Sequence, residues 1–267
     1  MPGENQLHVA AGWQPVMREL GLDAPGVFTH PLIRPWRTLP DRQNCTLDAQ
    51  AGGERIRLHV KRYARTGRPR TAAQEEFAGH QLLVSNGIPT APLVAWGVLD
   101  DRRSFVIFED LAGHVPADKL MQSSAAFDGL LQPTADLAAK LHDAGLHHRD
   151  LYLCHFLAEN NPTFHAGSSA APMNVRLIDP ARVRAMPNFL TRGRWLVKDL
   201  SQFWYSTLSL PITDAQRTAW LRRYSDQRQL PSPAMLRGKI ERKIRGIARH
   251  DARLNRLQPA RNVSIPW

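Results

Sequence analysis

Residues 146–157 of the chain, LHHRDLYLCHFL, decide how the rest of the sequence is interpreted. They place Asp150 directly after His148 and Arg149 and then continue into an apolar segment. Upstream, residues 125–145 carry apolar side chains at helical spacing and end in a glycine, as helices often do. The stretch therefore follows a predicted helix, either as a surface turn or as a functional loop.

The triplet His-Arg-Asp is typical of the loop from which kinases place an aspartate beside the hydroxyl that attacks the γ-phosphate of ATP. Three residues are weak support alone, because the same triplet arises by chance in basic chains. Phosphoryl transfer also needs a cation on the α- and β-phosphates, an acid that holds this cation, and an acid that carries Mg²⁺. The function of the triplet depends on whether the chain supplies these partners in order.

A hairpin supplies the candidate cation. Prolines disfavour long regular elements in residues 1–44, and the strand pattern becomes clear in residues 55–63, which alternate apolar and polar side chains after a turn at Gly52 and Gly53. Lys61 falls on the polar face of this strand, as a phosphate ligand or as a solvated strand-end lysine. The two glycines make a tight turn, and an approach of their N–H groups to phosphate is the alternative.

The next segment predicts a helix that carries the partner acid. It spans about residues 71–86, with Thr71 as a candidate N-cap and Gly87 as the residue that follows its end. Glu76 is the candidate partner of the lysine, and Glu75 is a near-equal rival. A solvated helix face is the alternative for both glutamates.

Two further strands, 93–98 and 104–108, lead to an abrupt end of the strand pattern at residues 109–113. We place a lobe boundary there. Residues 1–110 then form a lobe of strands and one main helix, and residues 111–267 form a mainly helical lobe. The later helices are predicted over residues 125–145, 194–209, 214–228 and 233–257.

A short apolar strand over residues 174–179 ends in the last acid. Asp179 is the candidate Mg²⁺ ligand. Asp-Pro pairs also favour turns, so a turn before Pro180 is the alternative. The preceding residues 158–173, rich in Pro, Ser, Gly and Asn, are predicted to form a loop.

Composition limits the class of protein. The 267 residues, 43% hydrophobic and 22% charged, suit one large domain or two lobes that share a cleft. No stretch approaches the roughly 18 apolar residues of a membrane span, the first residues lack a secretory-signal pattern, and two cysteines cannot form a disulfide framework, so we expect a cytoplasmic protein. The net charge of +11 favours an anionic partner: nucleic acid, lipid head groups or a phosphorylated substrate.

The catalytic stretch also resembles a known family. Residues 148–157 (HRDLYLCHFL) are close to the pattern His-Arg-Asp-x-Tyr-x-Cys-His-Phe-Leu of the lipopolysaccharide core kinases, the Kdo/WaaP family, which are relatives of protein kinases. The similarity continues in residues 177–182 (LIDPAR) and 194–200 (RWLVKDL) and, more loosely, in 74–77 (QEEF) and 86–89 (NGIP). It covers roughly residues 45–228 and separates the chain from ordinary protein kinases, which have Lys-Pro-Glu-Asn after the Asp.

This resemblance implies an α+β, two-lobed protein-kinase-like fold. It also implies ATP-dependent phosphorylation of a heptose or Kdo hydroxyl in the lipopolysaccharide inner core. Carried over position by position, Asp150 is the catalytic base and Asp179 the Mg²⁺ ligand. Lys61 binds the α- and β-phosphates, and Glu76 braces Lys61.

Other positions take supporting roles by the same resemblance. His148 is a scaffold of the loop, and Asp199 holds the loop from behind. Glu109 and Leu111 belong to the linker whose backbone meets the adenine. His155 stands where protein kinases have an Asn on a second Mg²⁺, and because imidazole is an awkward Mg²⁺ ligand, the number of metal ions stays open.

A zinc site is the alternative interpretation of the same region. The residues that would build it are His142, His147, His148, Cys154 and His155. Their spacing fits no zinc pattern, and apolar residues intervene.

The last predicted helix, residues 233–257, places apolar side chains at helical spacing among many Arg and Lys residues. One interpretation is a basic amphipathic element attracted to the anionic inner-membrane surface or to lipopolysaccharide phosphates. The other is a helix packed on the second lobe with a solvated basic face. Both interpretations are compatible with each other.

Two rival functions remain. One is a small-molecule or protein kinase of the same fold. The other is a non-catalytic kinase-like module that binds a membrane, which the presence of Lys61, Asp150 and Asp179 disfavours. Nucleic acid is not expected as a partner, because only the charge supports it and no binding motif is recognisable.

Overall fold

The computed structural model describes residues 5–160, 173–187 and 189–257. Most of the loop predicted over 158–173 lies outside the described residues. The described chain divides into two compact units, one made of residues 5–81 and 91–112 and the other of residues 82–90 and 113–257. Residues 82–90, which the boundary predicted between 110 and 111 assigns to the first lobe, therefore pack with the second unit.

The first unit contains a six-stranded sheet in the order β1-β5-β6-β4-β3-β2, with antiparallel neighbours throughout. Its strands are β1 (Gln6–Val9), β2 (Ile33–Thr38), β3 (Arg42–Ala51), β4 (Glu54–Tyr63), β5 (Leu93–Val98) and β6 (Ser104–Glu109). Its helices are α1 (Gln14–Glu19), α2 (Gly26–Thr29) and α3 (Ala72–Ser85), of which α3 ends in the second unit. The sheet with one main helix matches the predicted first lobe.

The predicted hairpin and its glycine turn are confirmed. Strands β3 and β4 pair from Ala51↔Glu54 to Arg42↔Tyr63. Gly52 and Gly53 have φ of 61° and 82°, a left-handed conformation that glycine adopts without strain.

Two edge strands escape sequence analysis. Before β3, no described element is longer than six residues, as the prolines predict, but β1 and β2 still extend the sheet at its two edges. Pro35 lies within β2, next to a register shift between Pro35 and Arg37. An edge strand tolerates the missing proline N–H because one side of it needs no ladder hydrogen bonds.

Helix α3 begins as predicted, directly after the candidate N-cap Thr71. The Gln74 backbone N–H donates to Thr71 Oγ1 at 3.4 Å, and Gln74 Oε1 accepts from the Thr71 N–H at 2.8 Å. This is a reciprocal cap that Gln74 completes rather than an acid. The acids of the first two turns are thus left for other contacts.

The second unit is mainly helical. Its helices are α4 (Ala125–Asp143), α5 (Phe189–Thr207), α6 (Asp214–Gln227) and α7 (Pro233–Leu257). Its short strands are β7 (His114–Pro116), β8 (Leu146–His147), β9 (Phe156–Glu159), β10 (Val175–Leu177) and β11 (Arg184–Ala185). The four predicted helices are confirmed, although α5 begins five residues earlier than predicted.

Aromatic packing fixes the core of this unit. Phe203 of α5 stacks on Trp220 of α6 with ring centroids 4.0 Å apart, and Phe156 of β9 meets Phe203 edge-on at 5.5 Å. All three rings are almost completely buried. Such offset and edge contacts add to the free energy of burying the rings. They hold β9, and with it the end of the catalytic stretch, against α5.

Two strand pairs then bring distant segments to the catalytic stretch. Strand β8 pairs with β11, Leu146 opposite Ala185 and His147 opposite Arg184. Strand β9 pairs with β10, and Phe156 lies opposite Leu177. The residues just before β9 and just after β10 therefore come together.

Candidate active site

In the first unit, the structure pairs Lys61 with Glu76. Lys61 Nζ lies 2.6 Å from Glu76 Oε1, and Tyr63 donates its hydroxyl hydrogen to Glu76 Oε2. Lys61 and Tyr63 project from the same face of β4 because strand side chains alternate. Glu76 is fully buried, while the lysine side chain keeps 22% of its surface exposed. The buried carboxylate thus fixes an ammonium group that still reaches solvent.

The glycine turn lies far from this lysine. About eight residues of β4 separate Gly53 from Lys61, or roughly 26 Å of strand. The Gly52 N–H instead donates to Glu19 Oε2 at 2.9 Å. The predicted tight turn is present, and it stands at the end of the hairpin away from Lys61. The turn at the lysine end of the hairpin is the one between β2 and β3, since Asn44 lies opposite Lys61.

The predicted linker sits at the end of β6. The Glu109 N–H donates to Pro92 O at 3.0 Å and the Asp110 N–H to Arg57 O at 3.1 Å. Leu111 follows, half-buried, and its N–H donates to no backbone carbonyl of the described residues. A cavity of about 530 Å³ is lined by Asp110 together with residues 48–50 and 55–57 of the hairpin.

In the second unit, Asp199 of α5 holds the catalytic stretch. Its Oδ2 accepts the His148 backbone N–H at 2.6 Å, and its Oδ1 accepts the Arg149 N–H at 2.8 Å. His142 of α4 points its Nε2 at the same carboxylate from 3.4 Å. Arg149 adopts a φ of 71°, which is unfavourable for a residue other than glycine. The two hydrogen bonds to Asp199 stabilise this backbone conformation. The predicted supporting role of Asp199 is what its contacts provide.

Burial affects the pKa values of both Asp199 and His148. Burial opposes ionisation of Asp199, but hydrogen bonds from His142 and from the His148 N–H outweigh it, and the pKa of Asp199 is lowered. Burial also lowers the pKa of His148, whose Nε2 donates to Ile178 O at 3.0 Å. A neutral, buried His148 is therefore a scaffold that ties the stretch to the segment carrying Asp179.

Asp150 follows these supported residues, and 21% of its side-chain surface is exposed. Arg182 Nη1 lies 3.1 Å from its Oδ1 and 3.0 Å from its Oδ2. Gln202 of α5 places its Nε2 3.4 Å from Oδ1 and 3.2 Å from the hydroxyl oxygen of Tyr152. Neither Arg182 nor Gln202 was predicted from the sequence as a neighbour of Asp150. Arg182 stands in a segment that carries the family resemblance, so its position was the available signal.

Asp179 and His155, the two predicted metal ligands, are neighbours. Asp179 follows β10 with φ of 60° and ψ of 60°, a left-handed conformation that turns its side chain away from the strand path. His155 precedes β9, and its Nε2 lies 3.7 Å from Asp179 Oδ2. Its Nδ1 donates to the Asp150 carbonyl oxygen at 2.6 Å. One imidazole thus links the backbone of Asp150 to the carboxylate of Asp179.

The donor set fits one magnesium ligand better than two. Asp179 offers the carboxylate oxygens that Mg²⁺ prefers, and 30% of its side-chain surface is exposed. Burial lowers the pKa of His155, but Cys154 and Asp179 more than offset this, and the pKa rises to about 10. A protonated imidazole is a charged partner for Asp179 rather than a metal ligand. His155 beside Asp179 is therefore a weaker candidate ligand than the carboxylate.

The zinc alternative finds no support in the described part of the chain. There, no group of three or more His, Cys, Asp or Glu side chains is placed to hold a metal ion. His142 Nδ1 lies 2.8 Å from the Tyr224 hydroxyl, and His147 packs on Trp195 with ring centroids 4.6 Å apart. The histidines of this region thus serve separate contacts.

The fold, the Lys61–Glu76 pair of the first unit, and the side chains around Asp150 and Asp179 in the second unit define a phosphotransferase of the protein-kinase-like class. In agreement, the crystal structure of an aminoglycoside-3'-phosphotransferase of type VIII is similar with a TM-score of 0.51, 16% sequence identity, and coverage of 80% of this chain and 93% of that chain. At this identity the likeness concerns the fold alone.

The sequence comparison is more specific. The model of the lipopolysaccharide kinase (Kdo/WaaP) family matches residues 48–224, and the chain belongs to this family. It is therefore a kinase, an enzyme that uses ATP to phosphorylate an alcohol group.

Two relatives share the name lipopolysaccharide core heptose(I) kinase WaaP. The relative from Pseudomonas aeruginosa is 26% identical over 208 residues, which cover 71% of this chain and 75% of that protein. The relative from Escherichia coli K12 is 26% identical over 179 residues, which cover 63% of this chain and 64% of that protein.

Proposed function

We propose that this chain transfers the γ-phosphoryl group of ATP to a heptose or Kdo hydroxyl of the lipopolysaccharide inner core, with Mg²⁺ as the metal ion. The observation that carries the proposal is the placement of Asp150. Asp199 holds the loop on which Asp150 stands, and the carboxylate is partly exposed to receive a hydroxyl. The family and its two named relatives support the choice of acceptor.

The residues of each unit take separate roles in this proposal. Asp150 orients the sugar hydroxyl and takes its proton as the oxygen attacks phosphorus, a task for which a positioned carboxylate suffices. Lys61, fixed by Glu76, binds the α- and β-phosphates. Asp179 would hold Mg²⁺, which neutralises charge on the phosphate oxygens when bound. Glu109 and Leu111 would present their backbone to the adenine.

The partner surface is part of the proposal as well. Within the described residues, no helix combines the length and the apolar composition that a membrane span requires. Helix α7 exposes a row of Arg and Lys side chains, which would attract an anionic surface such as the cytoplasmic face of the inner membrane, where the acceptor glycolipid would be met.

The test is transfer of labelled γ-phosphate from Mg-ATP to purified, dephosphorylated lipopolysaccharide. Wild type, Asp150→Ala and the matched control Asp226→Asn, an exposed aspartate of α6, are compared side by side. We expect label in the glycolipid with wild type and control, and a loss of at least about 1,000-fold with Asp150→Ala. Wild-type-like turnover of Asp150→Ala would refute the role of this residue.

The same assay separates the rival functions. A wild type that binds Mg-ATP without labelling the glycolipid needs another acceptor, which a panel of sugars and peptides would identify. A wild type that neither binds Mg-ATP nor labels any acceptor would favour the non-catalytic binding module.

A further inference from the structure

Asp150 lies in an unusually cationic part of the second unit. Four basic side chains act on one another here: Arg149, Arg182, Arg184 and Lys198, which we call the basic cluster. Burial and the charge of Arg182 both lower the pKa of Arg149 and of Lys198. Repulsion of this kind is costly unless anions relieve it, and two carboxylates, Asp150 and the buried Asp199, act on these cations.

Some members of the basic cluster are held in place by contacts that do not neutralise them. Arg149 lies over the Trp195 ring, 5.0 Å from its centroid, and Lys198 Nζ lies 5.5 Å from the same centroid. Lys198 also donates to the Arg149 carbonyl oxygen at 2.8 Å. Cation–π contacts and a carbonyl partner position these side chains without cancelling their charges.

Arg182 differs from the others in its exposure and geometry. Its side chain is 51% exposed, and among the described residues its hydrogen bonds all use Nη1, toward Asp150. A guanidinium group is a rigid, planar fork of five N–H donors. Its Nε and Nη2 groups form the edge that matches the spacing of two oxygens in a phosphate or carboxylate. That edge remains available next to the hydroxyl that Asp150 would receive.

The residues just after Asp150 lack the lysine that ordinary protein kinases carry there. In ordinary protein kinases the residues after the Asp include Lys-Pro-Glu-Asn, and here Tyr152 to His155 take that place. Tyr152 is neutral, and its hydroxyl lies 3.2 Å from Gln202 Nε2. Positive charge at the Asp150 carboxylate therefore comes from the basic cluster, of which Arg182 is the member in direct contact.

We propose that Arg182 is both the positioning residue of Asp150 and an oxyanion-binding side chain: Nη1 holds the carboxylate, and the Nε–Nη2 edge binds a phosphate or carboxylate group beside the acceptor hydroxyl. This inference rests on the proposed function and deepens it. The oxyanion has two possible sources, the phosphoryl group in transfer or an anionic substituent of the acceptor itself.

The reaction balances with Arg182 in this place. The sugar oxygen forms a bond to the γ-phosphorus, the bond from that phosphorus to the β-bridging oxygen breaks, and ADP leaves. The proton of the hydroxyl moves to Asp150. Arg182 exchanges no atoms, and it places positive charge beside the oxygens on which negative charge is spread in the transition state.

The first test needs neither ATP nor acceptor. Thermal unfolding of the full chain is followed in sodium phosphate and in sodium chloride at equal ionic strength. We expect phosphate to raise the Tm of wild type, and the apparent phosphate affinity to fall at least about 10-fold in Arg182→Gln. Arg182→Lys, which keeps the charge and loses the fork, should fall between them. Arg222→Gln on α6, exposed and remote in sequence, is the matched control and should behave as wild type.

The second test separates the two sources by kinetics and binding. If the occupant is the phosphoryl group in transfer, Arg182→Gln lowers kcat by about 100-fold and leaves the Kd of the acceptor unchanged. If the occupant is an anionic substituent of the acceptor, the Kd of the acceptor rises at least about 10-fold. In this second case, Arg182→Gln leaves the Kd of Mg-ATP unchanged. Either pattern supports the inference.

The inference is overturned if Arg182→Gln matches wild type in phosphate response, kcat and acceptor Kd. It is also overturned if Arg182→Lys and Arg182→Gln lower the Tm in chloride equally and leave the phosphate response, kcat and acceptor Kd as in wild type. Arg182 would then have only a structural role. The phosphate response is independent of the proposed function. A wild type that responds to phosphate through Arg182 but labels no glycolipid would refute the acceptor assignment and leave the oxyanion site standing.

Discussion

At the scale of single residues, the Lys61–Glu76 pair shows how burial selects one carboxylate of two. Glu75 and Glu76 are adjacent on α3, but Glu76 is the one that is completely buried, with donors from Lys61 and Tyr63. A buried carboxylate with both oxygens bonded keeps its charge and holds its partner in one position. Lys61 is thereby presented in a fixed place rather than as a mobile surface charge.

This selection gives the first prediction. Glu76→Gln should weaken Mg-ATP binding by about 10-fold, because a neutral amide holds the ammonium of Lys61 less firmly than a carboxylate does. Glu75→Gln is the matched control and should leave the Kd within about 2-fold of wild type. Calorimetric titration with Mg-ATP measures both values. A larger loss in Glu75→Gln than in Glu76→Gln would transfer the bracing role to Glu75.

A second residue-scale prediction concerns the support of the catalytic loop. Asp199→Asn should reduce kcat by at least about 100-fold and the free energy of unfolding by about 2 kcal/mol. Both carboxylate oxygens accept backbone N–H groups, so an amide NH₂ would face a donor in either orientation. Phosphate transfer and urea unfolding measure the two effects. An Asp199→Asn enzyme with wild-type kcat would show that the loop holds its conformation without this carboxylate.

The residue scale also shows where sequence analysis stops. Lys61, Asp150 and Asp179 were predictable because each stands in a motif or at a strand end. The neighbours of Asp150 were not, because Arg182 and Gln202 reach it only through the folded positions of a short turn and a helix face. Side-chain contacts between segments more than 30 residues apart leave no periodic trace in the sequence.

At the scale of elements, strand β1 depends on a glycine in its neighbour. A Cβ built on Gly97 of β5 would lie 2.5 Å from the carbonyl oxygen of Gln6 and 2.6 Å from the Phe105 ring. Both distances are shorter than any ordinary van der Waals contact. Because the Gln6 oxygen is a backbone atom, β1 would have to move to relieve the clash. Gly97 is therefore where the close approach of the edge strand requires glycine.

The third prediction follows from this contact. Gly97→Ala should lower the free energy of unfolding by about 2 kcal/mol and raise amide hydrogen exchange in β1. The control is Gly67→Ala, where nothing lies within 4 Å of the added Cβ. Urea unfolding and hydrogen exchange measured by mass spectrometry test both. Unchanged protection of residues 6–9 in Gly97→Ala would contradict the steric argument.

Strands inside the sheet and most of the helices were predictable, whether from a period or from start and stop signals, and the strands at the sheet edges were not. Strands β3 to β6 and helices α3, α4 and α6 follow the expected bounds within a few residues. Strand β2 lacks alternation and contains Pro35, and β1 has four residues, too few for a period to be recognised. Edge strands are stabilised by one neighbour and need little pattern of their own.

At the scale of the whole molecule, the net charge of +11 is concentrated partly on α7. The exposed basic residues of this helix are Lys239, Arg242, Lys243, Arg245, Arg249, Arg253 and Arg256. Ile240 is buried on the opposite side, so the helix packs by an apolar stripe and presents its cations outward. This agrees with both interpretations that the sequence left open.

The fourth prediction distinguishes them. The triple substitution Arg242→Gln, Arg245→Gln and Arg249→Gln should weaken binding to vesicles rich in phosphatidylglycerol by about 100-fold, at about 1 kcal/mol per basic residue near the surface. Three substitutions elsewhere on the surface, Arg55→Gln, Arg68→Gln and Arg222→Gln, are the control. Sedimentation with vesicles measures the partition, and equal binding of both triple variants would leave α7 with a solvated basic face.

The response of the whole molecule to acid depends on a histidine beside the catalytic loop. His147 is almost completely buried and packs on the Trp195 ring, and burial lowers its pKa to about 4. The unfolded chain returns this group to its ordinary value near 6.5, so the unfolded state binds the additional proton between about pH 6.5 and pH 4. Stability from this group is thus fully present above pH 6.5 and is lost as the pH falls through that window.

The fifth prediction puts a magnitude on this loss. Between pH 7.5 and pH 5.0, a shift of this size removes about 2 kcal/mol from the free energy of unfolding of wild type. His147→Gln cannot take up the proton, so its loss over the same interval should be smaller by about that amount, even if its stability at pH 7.5 is lower. His250→Gln, an exposed position on α7, is the control and should keep the wild-type difference. Urea unfolding at the two pH values measures all three proteins. If His147→Gln loses as much stability as wild type, the acid sensitivity lies elsewhere, and His80, whose pKa burial also lowers, is the next group to replace.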